Sequence, residues 1–197
     1  MNVLFSLLVF LSFLPGPKQI DSVKLLAVGP EFGEDAVTFY LDGLTESAGK
    51  TLEITYCNNL EEASGSWDAV LLSQTDSANV AALAAKAKAS FGRKTKVLLY
   101  QTNMFTSKKL SKKTDGIVPV DCAFRNLNSF TADSTAAVDN GRVSTLGCYT
   151  AACVLFETLF SCKVFGSRYS AMLDSEDRRA AQLSADAAVR KPFKIKL

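Results

Sequence analysis

The side chains best placed for chemistry in this chain are three carboxamides, two carboxylates and one arginine: Asn58, Gln74, Gln101, Glu31, Asp139 and Arg142. The first five follow apolar runs, and Arg142 stands just before a long apolar stretch. Ligands of α/β proteins gather at such places, beyond the carboxyl ends of strands. A base that works at neutral pH is missing, because the 197 residues include no histidine. Arg142 cannot take that role: a guanidinium with a pKa above about 12 keeps its proton. A Ser–Lys dyad finds no support either, since Ser107 stands directly beside Lys108 and Lys109 and no Ser-x-x-Lys opens a helix. Cys57 ends an apolar run and is a candidate thiolate, but its activation would rest on Arg142 or a lysine. Glu31 and Asp139 suit a glycoside hydrolase in type, since that chemistry needs two carboxylates and no histidine. Gly29 and Gly33 lack the Lys-Ser/Thr ending of a phosphate loop.

The elements that would hold these residues alternate between strand and helix. Apolar runs at 23–29, 51–56, 67–73, 95–101 and 116–120 predict five strands, the third apolar throughout, as in a parallel sheet buried on both faces. Pro119 in the last run suits a sheet edge. Helical spacing covers 34–48 (Ala36, Val37, Tyr40, Leu41, Leu44) and stops at Gly49. Further helices are predicted over 78–91, 104–113, 147–160 and 173–190, the last opened by Asp174, Glu176 and Asp177 near the positive helix end. Alternation of this kind implies one α/β domain with helices on both faces of a parallel sheet.

Composition narrows the partners. The chain is 48% hydrophobic, with 22 basic and 20 acidic residues for a net charge of +2, so no field favours nucleic acid or an anionic membrane. Lys108–Lys109 and Lys112–Lys113 read as a solvated helix face. Residues 3–14 are almost wholly apolar. Twelve residues fall short of the roughly 20 a membrane-spanning helix needs. They fit the apolar core of a secretory leader over 1–17, with export to the periplasm or outside the cell and an uncleaved anchor as the alternative. A single domain then covers 18–197. The five cysteines show no metal-ligand spacing and read as small buried hydrophobes without a disulfide. No metal or other cofactor is expected.

Several segments, in order, resemble the SGNH (GDSL-like) hydrolases. Leu25-Leu-Ala-Val-Gly-Pro-Glu-Phe-Gly-Glu-Asp-Ala-Val37 is similar to that superfamily's first block, and Trp67-Asp-Ala-Val-Leu-Leu-Ser-Gln74 to its third in branches that carry glutamine. Val97–Phe105 resembles the fourth-strand segment, and Asp115–Val120 with Ala123–Asn126 the fifth strand and its sequel. Leu146–Glu157 resembles the helix that follows the catalytic Asp-x-x-His block. The likeness runs from residue 24 to 193. It implies a three-layer, flavodoxin-like α/β/α sandwich of about five parallel strands.

The departures from that pattern fall on the reacting groups. Glu31 stands at the serine nucleophile's position, where acyl transfer would leave a labile anhydride. Cys57-Asn58-Asn59 stands where the oxyanion-hole glycine belongs, and Arg142 where the histidine does, while Gln74 and Asp139 persist. The resemblance thus implies a hydrolase-like protein without hydrolysis. Its remnant cleft is either closed by a Glu31–Arg142 ion pair or binds a polar ligand such as a glycan through Glu31, Gln74, Gln101 and Arg142. An active esterase or glycoside hydrolase built on Glu31 and Asp139 is one alternative, and a structural partner-binding domain is another. A plainer reading of Glu31, Glu34 and Asp35 also stands: they complement a helix N-terminus after a tight turn at Gly29-Pro30.

Overall fold

The computed structural model describes residues 20–29, 36–73, 79–101, 112–139 and 141–192. Five strands form one parallel sheet: β1 (Ser22–Val28), β2 (Thr51–Cys57), β3 (Ala69–Ser73), β4 (Lys96–Tyr100) and β5 (Gly116–Val118). Their order is β2-β1-β3-β4-β5. Leu25 pairs with Ile54 on one side and Ala69 on the other, and Ser73 pairs with Tyr100. Among the described residues, five α-helices accompany the sheet: α1 (Ala36–Ser47), α2 (Val80–Phe91), α3 (Val120–Thr131), α4 (Thr145–Phe160) and α5 (Ser175–Arg190).

The pleat sorts each strand's side chains into two cores. Leu26, Val28, Val70, Leu72, Val97 and Leu99 face α2 and the 3-10 turn Leu60–Glu62. Their neighbours Val23, Leu25, Ala69, Leu71, Leu98 and Val118 face the layer of α1, α3, α4 and α5. All five residues of β3 are buried, as expected for a strand covered on both faces. Each fully buried leucine contributes about 1.5–3 kcal/mol relative to exposure, so an apolar run this dense folds as a central strand. The result is a three-layer α/β/α sandwich, as the alternation of segments predicts.

Local chemistry sets the helix ends. Ser144 caps α4 by accepting the Gly147 N–H at 2.9 Å, and Asp174 caps α5 by accepting from Glu176 and Asp177 at 2.9 Å. Pro119 lies just past β5, which is an edge strand, so its missing N–H removes no ladder bond from the sheet interior. None of the helices among the described residues is long and apolar enough to cross a membrane.

Two features were not expected from the sequence. Residues 120–131 form α3, so the fifth strand ends at Val118 and not at Val120. A two-stranded antiparallel hairpin, β6 (Val138–Asp139) and β7 (Arg142–Val143), precedes α4.

Candidate ligand-binding site

The strand order reverses between β1 and β3, because the chain leaves β1 for β2 on one side and returns to β3 on the other. A crevice beyond the carboxyl ends of these strands is where such a sheet admits a ligand. Glu31 and Gln74 belong to segments that leave β1 and β3, and both lie outside the described residues, as does the expected Glu31–Arg142 ion pair. The helix expected over 104–113 falls largely outside them too.

Two described side chains at this end of the sheet are buried with an unmet polar atom. Ser73 closes β3 at 7% exposure and Gln101 follows β4 at 3%. Among the described residues, neither Ser73 Oγ nor Gln101 Oε1 has a hydrogen-bond partner. Gln101 is held by its main chain: its N–H donates to Val118 O at 3.0 Å, and its carbonyl accepts the Asp121 N–H at 3.1 Å. These bonds anchor it between β4 and the start of α3. Buried polar atoms in folded proteins are nearly always paired. One left without a partner costs about 1–3 kcal/mol. The third such atom among the described residues, Trp67 Nε1, lies ahead of the amino end of β3 and belongs to a different region.

The remaining sequence-derived positions are arranged differently from one another. Asn58 is exposed in the turn after β2, and its backbone N–H donates to Glu62 Oε2 at 3.2 Å. That N–H, which the resemblance would place near an oxyanion, is thus already engaged. Cys57, half-buried beside it, has its thiol pushed up by burial and by the Glu62 carboxylate, which argues against a thiolate nucleophile. Asp139 and Arg142 are cross-strand partners in the hairpin, and both are exposed. Alternation along a strand puts them on the hairpin face opposite Val138 and Val143.

Val138 and Val143 themselves border a cavity of about 500 Å³. Its floor is the α4-facing side of the sheet, with Leu25, Ile54 and Leu71 among its residues, and its walls come from α1, α3 and α4. Among the described residues, no group of three or more Cys, Asp or Glu side chains could hold a metal ion. No disulfide joins the five cysteines, all of which lie among the described residues.

Ser73 carried a visible sign, as the one hydroxyl ending an otherwise apolar run, but its lack of a partner depends on what folds over it. The hairpin was legible in Asn140-Gly141 between Val-Asp and Arg-Val, the commonest two-residue hairpin turn. Gly141 adopts the positive φ of 77° that such a turn demands.

No protein-family model and no curated protein matches the sequence. Among solved structures, the crystal structure of a DUF4886 family protein from Bacteroides uniformis is similar, with a TM-score of 0.71 and 21% identity over 89% of this chain and 98% of that one. At that identity the likeness establishes the shared three-layer fold.

Proposed function

We propose that the chain is an SGNH-like domain that binds without hydrolysing, and that its ligand is a polar molecule such as a glycan held beyond the carboxyl ends of β3 and β4. The observation that carries this reading is the pair of buried polar atoms on Ser73 and Gln101 that find no partner among the described residues. A sugar hydroxyl both donates and accepts, so it can satisfy Gln101 Oε1 and Ser73 Oγ with one type of group. The non-hydrolytic reading is supported by residue types: the chain has no histidine for serine chemistry, and Glu31 and Arg142 stand where the resemblance places nucleophile and base. The apolar residues 3–14 fit an exported protein, which would meet glycans outside the cytoplasm.

Two measurements test the proposal. With p-nitrophenyl acetate the wild type is expected to be silent, and Glu31→Ser with Arg142→His to gain turnover. Wild-type turnover that vanishes in Glu31→Ala would overturn the non-hydrolytic reading in favour of an enzyme using Glu31. In calorimetric titration with a panel of soluble oligosaccharides, Ser73→Ala and Gln101→Leu should each weaken binding tenfold or more, the loss of one buried hydrogen bond. Ser73→Ala should also raise the Tm of the free protein by removing an unmet hydroxyl. Equal affinity in wild type and both variants would remove the crevice from the account.

A further inference from the structure

The cavity under α1 and α4 asks for a different kind of ligand from the crevice. Its lining is aliphatic and aromatic: Leu25, Leu41, Ile54, Leu71, Phe124 and Leu155 enclose most of it. The polar groups that reach it are already paired within the protein. Thr38 Oγ1 and the Tyr56 hydroxyl share a hydrogen bond of 2.8 Å. The Asn128 side chain donates to Ser134 O at 2.8 Å and accepts the Ala137 N–H at 3.1 Å. Arg125 is the exception. Its Nε–H donates to Asp121 Oδ2 at 3.0 Å, and a guanidinium carries four further N–H donors in a fixed fork. The lining residues that are also open to solvent, Tyr56, Val138 and Val143, mark the mouth.

We propose that this cavity holds an unbranched acyl chain, with the aliphatic tail inside and its carboxyl group at Arg125. A volume of about 500 Å³ lies within the range of small-molecule sites. At about 30 Å³ per water-sized group it has room for roughly 15 heavy atoms. A carboxylate with a tail of twelve or so carbons fills that space, and a four-ring sterol exceeds it. The walls are chiefly aliphatic, and polar lining groups such as Thr38, Tyr56, Asp121 and Asn128 are engaged with protein partners, which suits a tail better than a sugar or nucleotide. Arg125 is the one cationic residue in the described lining; its Nε is ion-paired with Asp121, which also borders the cavity, and its outer N–H fork is left to meet the carboxylate of a fatty acid. A larger acyl lipid would present the same tail. The inference does not rest on the crevice reading, because it uses neither Ser73 nor Gln101, although Tyr100 and Asp121 of the cavity adjoin them.

The test is calorimetric titration of the full chain with octanoate, decanoate and dodecanoate, each below its micelle concentration, and with 1-dodecanol and lysophosphatidylcholine. Burial of each methylene should tighten binding about threefold to fourfold. Val143→Asp, a change at a half-exposed site in the mouth that the fold should tolerate, should weaken dodecanoate at least tenfold without moving the Tm. Ala151→Leu, which adds bulk to the cavity wall, should weaken dodecanoate more than octanoate. Arg125→Gln should abolish the preference of dodecanoate over 1-dodecanol. Lysophosphatidylcholine binding more tightly than dodecanoate would identify the acyl group of a lipid as the source of the chain. Affinity indifferent to chain length, or unchanged in Val143→Asp with Ala151→Leu, overturns the proposal.

Discussion

Glu157 shows how one side chain can set a pH dependence. It lies within α4 at 6% exposure, and its Oε1 accepts the Val164 N–H at 2.8 Å. Burial raises its carboxyl from 4.5 to about 7, opposed by the Val164 hydrogen bond and assisted by the nearby Asp186 carboxylate, with Arg190 and Lys163 pulling the other way. In the unfolded chain the same carboxyl ionises near 4.5. Between these two values the folded protein therefore binds more protons than the unfolded one, and stability falls as pH rises through that window. The contribution is on the order of 3 kcal/mol at most, at about 1.4 kcal/mol per pKa unit. Glu157→Gln keeps an acceptor for Val164 and removes the titration. Its Tm should lie close to wild type at pH 5 and above it at pH 8. Parallel Tm curves for the two proteins over pH 5–8 would show that Glu157 ionises freely in the fold.

At the scale of elements, the junction of the hairpin with α4 depends on one position without a side chain. A Cβ on Gly147 would clash with the Ala137 carbonyl oxygen and lie 2.8 Å from Val143 Cγ1. The carbonyl is backbone and is already fixed as the acceptor of the Ser144 N–H at 2.9 Å, so it cannot step aside. Gly147→Ala should lower stability by about 1–3 kcal/mol, the usual effect of overpacking. It should also speed amide exchange in residues 138–143 ahead of the sheet; urea unfolding and hydrogen exchange check both, and unchanged exchange in the hairpin would refute the argument. This junction also shows what the sequence displayed and what it hid. The four longer apolar runs and the glycine after α1 announce strands and a stop, and the observed elements begin and end within a few residues of them. In α3 the apolar positions Val120, Ala123, Phe124 and Leu127 keep helical spacing. Its polar residues and the strand just before it masked that signal. Arg142 is read as the histidine's replacement by position alone; that it pairs with Asp139 across an exposed hairpin is shown only by the fold. The unmet atoms of Ser73 and Gln101 were beyond sequence reasoning, because partnerlessness is a property of everything packed around a group.

The whole molecule is two cores that share one sheet. Adjacent residues of β1, β3 and β4 point into opposite layers, so Leu71 serves the α1–α4 side while Val70 and Leu72 serve the α2 side. Losing either layer would expose one face of a strand that is buried on both, and a parallel sheet has no polar face to offer water. The layers should therefore unfold together. The chain carries one tryptophan, and Trp67 packs against the core beneath α2. Its fluorescence thus reports the side of the sheet opposite the two 16-residue helices α4 and α5, which contribute much of the far-ultraviolet circular dichroism. Urea transitions followed by the two signals should coincide in midpoint and slope, as two-state unfolding requires. A fluorescence midpoint at lower urea would mean that the α2 layer opens by itself. Coincident transitions would mean that the carboxyl-end crevice and the cavity, which adjoin at Tyr100 and Asp121, are supported by a single cooperative unit, so that a ligand bound at either one raises the stability of both.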